Sequence, residues 1–302
     1  MERERLSIVL RCEGLGDCLY AIPIIKKIHA LKAHQYDLDV FTFHPELFAA
    51  CPFVETAYPI ADVMKLRGDL KALTLFDPSK LPHGSMDTFD FLSVPIGLGT
   101  LSFREKQLEY FPVETDATER FDVVLNTSMT WTSRSWALSN WQRLADVLTG
   151  HGFSVAVVGK DIHSPADKLD KISHRLDGCR NLANRLSLDQ TYHTIAKGGL
   201  FVSCQNGLSV LAGATGTEIV VLGMAIEWSK RAIYRDENPL HKVTYVKGNC
   251  AIHCGKGFEC ADPTGGATFR CVPSYETVEA VVLDRLRART AGPLPEPDGH
   301  PR

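Results

Sequence analysis

A short apolar run that turns through glycines into a helical pattern is what most limits the folds open to this chain. Leu6-Ser7-Ile8-Val9-Leu10 reads as a buried strand, and Cys12-Glu13-Gly14-Leu15-Gly16-Asp17 as the turn after it. From Leu19 to Leu31 apolar residues recur at helical spacing. A strand feeding a helix through such a turn leaves backbone N–H groups free at the helix start, where they can face an anion. Asp17 falls in the first helical turn, where a carboxylate caps the helix or acts on a substrate.

The same unit recurs along the chain. Strands are expected near 6–11, 38–43, 54–58 and 72–76, with a helix from about 17 to 32. Between 78 and 120 the pattern weakens, and Val113 to Arg120 is polar without any apolar period, as suits an interdomain linker. Phe121–Asn126 then reads as a strand. Ser139 is expected to cap a helix that buries Trp141, Leu144, Ala145 and Leu148, and Ser154–Gly159 is the next strand. Ser187-Leu188-Asp189-Gln190 is a capping-box pattern opening a helix that Gly198-Gly199 closes. Leu200–Ser203 and Glu218–Leu222 read as strands around a short helix from Leu208 to Thr215.

Alternation of this kind builds doubly wound α/β sheets. The chain divides into residues 1–116, residues 117–286 with a cysteine-rich loop at 249–272, and a tail at 287–302. The tail holds four prolines and few apolar residues and is expected to be disordered. A net charge of −3 offers no basic field for a polyanion. Met1-Glu2-Arg3-Glu4-Arg5 is charged, and the apolar run after it is too short for a signal or membrane segment, so a cytoplasmic protein is expected.

Four strand ends run into polar or glycine-rich turns: Gly14–Asp17, Asn126–Thr130, Gly159-Lys160-Asp161 and Gln205–Ser209. Ligands of doubly wound sheets bind outside the carboxyl ends of the strands, so these turns are candidates to line one cleft. The loop from Thr127 to Trp136 adds the hydroxyls of Thr127, Ser128, Thr130, Thr132, Ser133 and Ser135 to the guanidinium of Arg134 just before a helix. That set suits a diphosphate, the alternative being a solvated loop with one surface arginine. Cys12 and Cys18 read as small buried residues, and His151 and His193 take no role. Trp141 reads as core. Trp131, Trp136 and Trp228 lie in loops, where they stack on a sugar or pack beneath the loop.

Cys250, Cys254, Cys260 and Cys271 follow a C-x3-C-x5-C-x10-C spacing. Four thiols so close in a reducing compartment suit a closed tetrahedral site for zinc or iron; unligated thiols and a disulfide are the other readings. Such an ion would order the loop and take no part in the chemistry.

Arg11–Asp17 with Pro23 resembles the opening of family 9 glycosyltransferases, the heptosyltransferase-like enzymes. Asn126-Thr127-Ser128 with Trp131, Arg134 and Trp136 is similar to their donor-phosphate loop, in which a lysine usually stands at the Arg134 position. Ser187-Leu188, Phe201–Ser209 and Gly216-Thr217 resemble their nucleotide-contacting loop and the following strand. Cysteine-rich segments are common at this place in the family, and the one here resembles the metal finger of the members that act on autotransporter proteins.

The resemblance implies a GT-B fold, with the acceptor in the first domain and a nucleotide-diphosphate sugar in the second, and inverting transfer that needs no metal. Asp17 matches the catalytic aspartate, the general base on the acceptor hydroxyl. Thr130 and Arg134 match the positions that hold the leaving diphosphate, and Asp161 that of a nucleoside-contacting acid. Gly16, Thr127, Ser128, Gln205, Asn206, Gly207 and Ser209 complete the expected donor site. Where the family usually has Asp, Ser or Thr, then Gly, with His three residues on, this chain has Gln205, Asn206, Gly207 and Val210. That admits a hexose beside a heptose-type sugar. The acceptor is a glycan, a protein hydroxyl or, less favoured by the charge, a hydroxylated DNA base. A nucleotide-sugar epimerase or hydrolase, and a non-catalytic nucleotide-sugar-binding or scaffold protein, are the rival readings.

Overall fold

The computed structural model describes residues 3–65, 71–75, 86–115, 119–129, 134–164, 169–223, 227–235, 242–250 and 270–290. In the first half, β1 (Glu4–Leu10), β2 (Tyr36–Thr42), β3 (Thr56–Pro59) and β4 (Lys71–Leu75) form a parallel sheet in the order β3-β2-β1-β4. Helix α1 (Leu15–Lys32) connects β1 to β2. Every residue of α1 from Cys18 to Ile25 is buried, because the helix is covered on one side by the sheet and on others by α2 (Thr88–Ser93) and the second half of the chain. A helix that is apolar all round is one that is packed all round.

The second half holds β5 (Val123–Asn126), β6 (Ser128–Met129), α3 (Leu138–Gly150), β7 (Val155–Val158), β8 (Ile162–Ser164), β9 (Leu169–Ser173), β10 (Arg180–Asn181), α4 (Leu188–Lys197), β11 (Leu200–Cys204), α5 (Gly207–Gly213), β12 (Glu218–Gly223), β13 (Val243–Lys247) and α6 (Tyr275–Thr290). Its main sheet is parallel, in the order β10-β7-β5-β11-β12-β13. Asn126 is level with Val158 on one side and Ser203 on the other, which sets three strand ends side by side. A small antiparallel sheet, β6-β9-β8, stands over that edge.

Two apolar clusters hold the molecule together. One lies on a single face of the second sheet, where Trp141, Leu144, Ala145 and Leu148 of α3 and Val278, Val282 and Leu286 of α6 pack. The other runs unbroken from β1 and α1 into Val210, Leu211 and Ala212 of α5 and Phe201 and Ile219 of the second sheet. The two halves therefore share a core where α1 meets α5.

The structure differs from the sequence expectations at the start of α3 and at the end of α6, and it decides between the two readings of Trp136. Helix α3 starts at Leu138 with Ala137 at its N-cap, so Ser139 lies inside the first turn; Trp141 N–H bonds the Ala137 carbonyl instead of a side-chain cap. Trp136 belongs to the core, fully buried, edge-on to Trp141 and donating Nε1–H to Pro273 O at 3.1 Å. Helix α6 carries on through Arg287 to Thr290, four residues into the expected tail, drawn by the buried stripe Val278, Val282 and Leu286. Residues 291–302 lie outside the described ones.

Candidate active site

The seam between the halves is built where α1 and α5 begin. Gly16 and Gly207 approach so closely that a Cβ on Gly207 would stand 2.9 Å from Leu15 Cβ and 3.1 Å from Gly16 N. Glycine at both places lets two helix starts touch, and with them the turns Gly14–Asp17 and Gln205–Ser209. Helix starts carry partial positive charge, so their junction favours anionic groups.

Asp17 sits at this junction. Its backbone N–H closes the turn onto Gly14 O at 3.0 Å, and its side chain is 17% exposed. Oδ1 is paired with the guanidinium of Arg231, which reaches it from the second half. Oδ2 fills the space a Gly14 side chain would need: a Cβ there would lie 2.6 Å away. Burial opposes the charge on Arg231, but the Asp17 carboxylate more than restores it, and its pKa is raised. No local pattern around Arg231 points to this pairing, and the sequence reading missed it.

Beside Asp17, the Cys12 and Cys18 thiols face each other at 3.5 Å, both buried. Their contact and burial push Cys12 far up, while the bond from Cys12 draws Cys18 down. His44 follows the end of β2, with Nε2 2.9 Å from Glu13 O and Nδ1 3.1 Å from Glu46. It thereby braces the turn that carries Asp17. Glu46 is drawn down against the effect of burial by His44 and by the charge of Lys160, which belongs to the opposite half.

Across the seam, the strand-end residues mostly bond one another. Asn126 is fully buried; its amide donates to Ser128 Oγ at 2.8 Å and Val158 O at 2.9 Å, and its oxygen accepts from Ser203 Oγ and Asn206 Nδ2. Asn206 caps α5 through Leu208 N–H and Ser209 N–H, and Ser209 returns to the Asn206 backbone. Thr127 donates to His174 O at 2.7 Å, and Ser128 meets Ser173 Oγ at 2.8 Å. Asp161 accepts from Ser173 N–H at 2.7 Å, pinning β9 against Gly159. The side chains of Thr127, Ser128, Asp161, Asn206 and Ser209 thus shape the site from behind.

Gln205 is different. It is 6% exposed, and neither its amide nitrogen nor its amide oxygen has a hydrogen-bond partner among the described residues. A buried amide with both ends unmet costs about 1–3 kcal/mol per group, a cost that a bound polar ligand relieves. Half-buried Arg134 stands at the same strand end, near enough to Cys204 to pull against the burial that raises that thiol to about 12. Thr130, with Trp131, Thr132 and Ser133, lies outside the described residues.

Cys250 and Cys271 are half-buried, while Cys254 and Cys260 lie outside the described residues. Gly248 N–H donates to Cys271 O at 3.3 Å, which brings the two ends of the cysteine segment together. Among the described residues no group of three or more metal-ligating side chains occurs, and no helix there is long and apolar enough to cross a membrane.

Residues 97–223 match the model of glycosyltransferase family 9 (heptosyltransferase). No curated protein matches the chain by sequence. Among solved structures, the iron-containing dodecameric glycosyltransferase TibC from enterotoxigenic E. coli is similar, with a TM-score of 0.70 and 16% identity over 97% of this chain and 82% of that one. A family 9 glycosyl transferase from Veillonella parvula has a TM-score of 0.64 and 12% identity, covering 95% of this chain and 99% of its own. The E. coli ADP-heptose lps heptosyltransferase II has a TM-score of 0.58 and 14% identity, covering 94% and 99%. The shared fold is GT-B, and the matched segment supports a glycosyltransferase.

Proposed function

We propose that this chain, a GT-B protein resembling family 9 glycosyltransferases, transfers a sugar from a nucleotide-diphosphate donor to an acceptor hydroxyl with inversion, using Asp17 as general base. The observation that carries this reading is the place of Asp17, on the first turn of α1 against the start of α5, at the seam of the two halves. An acceptor seated on the first half loses its hydroxyl proton to the carboxylate as its oxygen attacks the anomeric carbon. The nucleoside diphosphate leaves from the opposite face, taking the bonding electrons, and the second half receives it. Arg134 and the positive start of α5 offset the charge of that leaving group, and the unmet amide of Gln205 is available to the donor. An aspartate is ionised at neutral pH, so the role asks for placement above all.

A TibC structure in complex with ADP-D-beta-D-heptose, with a TM-score of 0.64 and 15% identity, makes an ADP-sugar of heptose type the first donor to test. Gln205 and Val210 keep hexose donors in the panel. Melting temperature is read across ADP-, GDP-, UDP-, CDP- and dTDP-sugars, since a ligand of the folded state raises it by mass action. Asp17→Asn should keep that shift while turnover falls by about a hundredfold or more. Unchanged turnover in this variant would remove Asp17 from the chemistry.

The thiols of Cys250, Cys254, Cys260 and Cys271 suit one structural ion, zinc or iron, that would tie down their loop while the transfer proceeds without it. The juxtaposed ends of the segment support this. Metal analysis of the purified protein should find about one equivalent; a fully folded, metal-free sample counts against the site.

A further inference from the structure

Residues 227–235 run from the second half onto the first, and their anchorage is independent of the Arg231 side chain. Tyr20 Oη donates to Arg231 O at 2.9 Å, and Thr88 Oγ1 to Lys230 O at 2.7 Å. Tyr234 Oη donates to Asp87 at 2.6 Å, and Leu108 N–H to Tyr234 O at 3.2 Å. From the second half, Tyr245 Oη accepts from Ile233 N–H at 2.9 Å, and Arg235 donates to Thr217 O at 2.7 Å. A segment so fastened needs no guanidinium–carboxylate pair to stay in place. Yet Arg231 presents its Nη1 to Asp17 Oδ1, in a pocket where Tyr20 and Cys12 are kept neutral by burial and by their neighbours.

We infer that Arg231 is a positioning residue for the base: it fixes the Asp17 carboxylate by Oδ1 and leaves Oδ2, on the Gly14 side, to take the acceptor proton. This rests on the reading of Asp17 as general base. A carboxylate has two equivalent oxygens and a freely turning terminal torsion. A guanidinium on one oxygen and the bare Cα of Gly14 beside the other reduce those orientations to one. Because the cation comes from the half expected to hold the donor, the base is set only when the two halves are docked. Positioning of this kind acts on the rate of the chemical step more than on donor affinity.

The test uses the full chain and ADP-heptose, reading ADP release with water as the acceptor and with any acceptor that supports transfer. Arg231→Met should lower kcat by about thirtyfold or more with the donor KM changed less than about threefold, and Arg231→Lys should recover part of the loss. Asp17→Asn runs beside them. If Asp17→Asn falls and Arg231→Met keeps the wild-type kcat, or loses only KM, the positioning role is overturned while the base stands. If Asp17→Asn turns over normally, the base itself is wrong. Melting temperatures of the two single variants and the double variant decide the pairing without any turnover. A coupled pair gives a double variant that melts close to the worse single variant, and losses that simply add overturn it. Arg231→Lys, which keeps the charge, stands in should Arg231→Met fail to fold.

Discussion

His44 answers to two partners that pull its charge in the same direction. Its ring bonds Glu46 and the carbonyl of Glu13, and both interactions favour the imidazolium. Burial works the other way and is outweighed, so the pKa lies above the ordinary 6.5. A group raised on folding contributes its full stabilisation below about pH 6.5, and that contribution is lost as pH rises through the raised value. Glu46, lowered by the same pairing, keeps its part until the pH falls below the ordinary carboxylate range. The stability difference between the wild type and His44→Gln should therefore shrink as the pH goes from about 6 to about 8. Denaturant titrations across that range measure it, and a flat or growing difference removes His44 as the titrating group. Asp17 could be read from its own neighbourhood, because a strand, two glycines and a helix start lie within a dozen residues. Arg231 could not. It stands 214 positions away and meets Asp17 only because of how the chain is folded.

Asn126 ties three strand ends into one edge. Its amide nitrogen serves Ser128 and Val158, and its oxygen serves Ser203 and the cap residue of α5. Asn126→Ala leaves several of these groups buried and unmet, at about 1–3 kcal/mol each. A total loss of about 3 kcal/mol or more is expected in denaturant unfolding. A loss under about 1 kcal/mol would show the edge to be held by backbone pairing alone. Elements of this kind were legible in the sequence where the signal is compact. The Ser187–Gln190 capping box is complete within four residues, and both of its reciprocal bonds are present. Within β5, β7, β11 and β12 the stretches Val123–Leu125, Val155–Val158, Leu200–Val202 and Ile219–Leu222 are apolar throughout, as suits buried parallel strands. Less was legible in β8, β9 and β10, of three, five and two residues: Asp161 and Ser128 hold β9 by meeting its Ser173, and β10 is placed by its pairing with β7. The start of α3 was misread because Ser139 offers a cap chemistry that the backbone does not use.

The docking of the two halves is a property of the whole molecule, and one buried lysine sits where the 227–235 segment meets the first half. Lys106 Nζ lies 2.8 Å from Asp87 and 2.7 Å from Asp90, with side-chain exposures of 9%, 9% and 15%. Asp87 also caps α2 through Asp90 N–H and accepts from Tyr234 Oη, so the same carboxylate that meets the lysine holds the segment bearing Arg231. Burial disfavours the ammonium, but the two carboxylates outweigh it and keep Lys106 charged. These four residues are spread over 148 positions and follow no period, so sequence reading found only a weak pattern between 78 and 120. Removing one partner from a buried ion cluster strands the others, and such losses run to about 3–5 kcal/mol. Lys106→Met keeps the length of the side chain and removes the cation, leaving two carboxylates buried side by side. The variant should lose stability on that scale. Because Tyr234 then bonds a carboxylate under repulsion, the 227–235 segment should loosen and carry Arg231 away from Asp17. ADP release from ADP-heptose should accordingly fall in Lys106→Met even at temperatures where the protein is fully folded. Full turnover in a folded but destabilised variant would separate the two effects, and would mean that the segment holds its place through Tyr20, Thr88, Leu108, Tyr245 and Thr217 without Asp87.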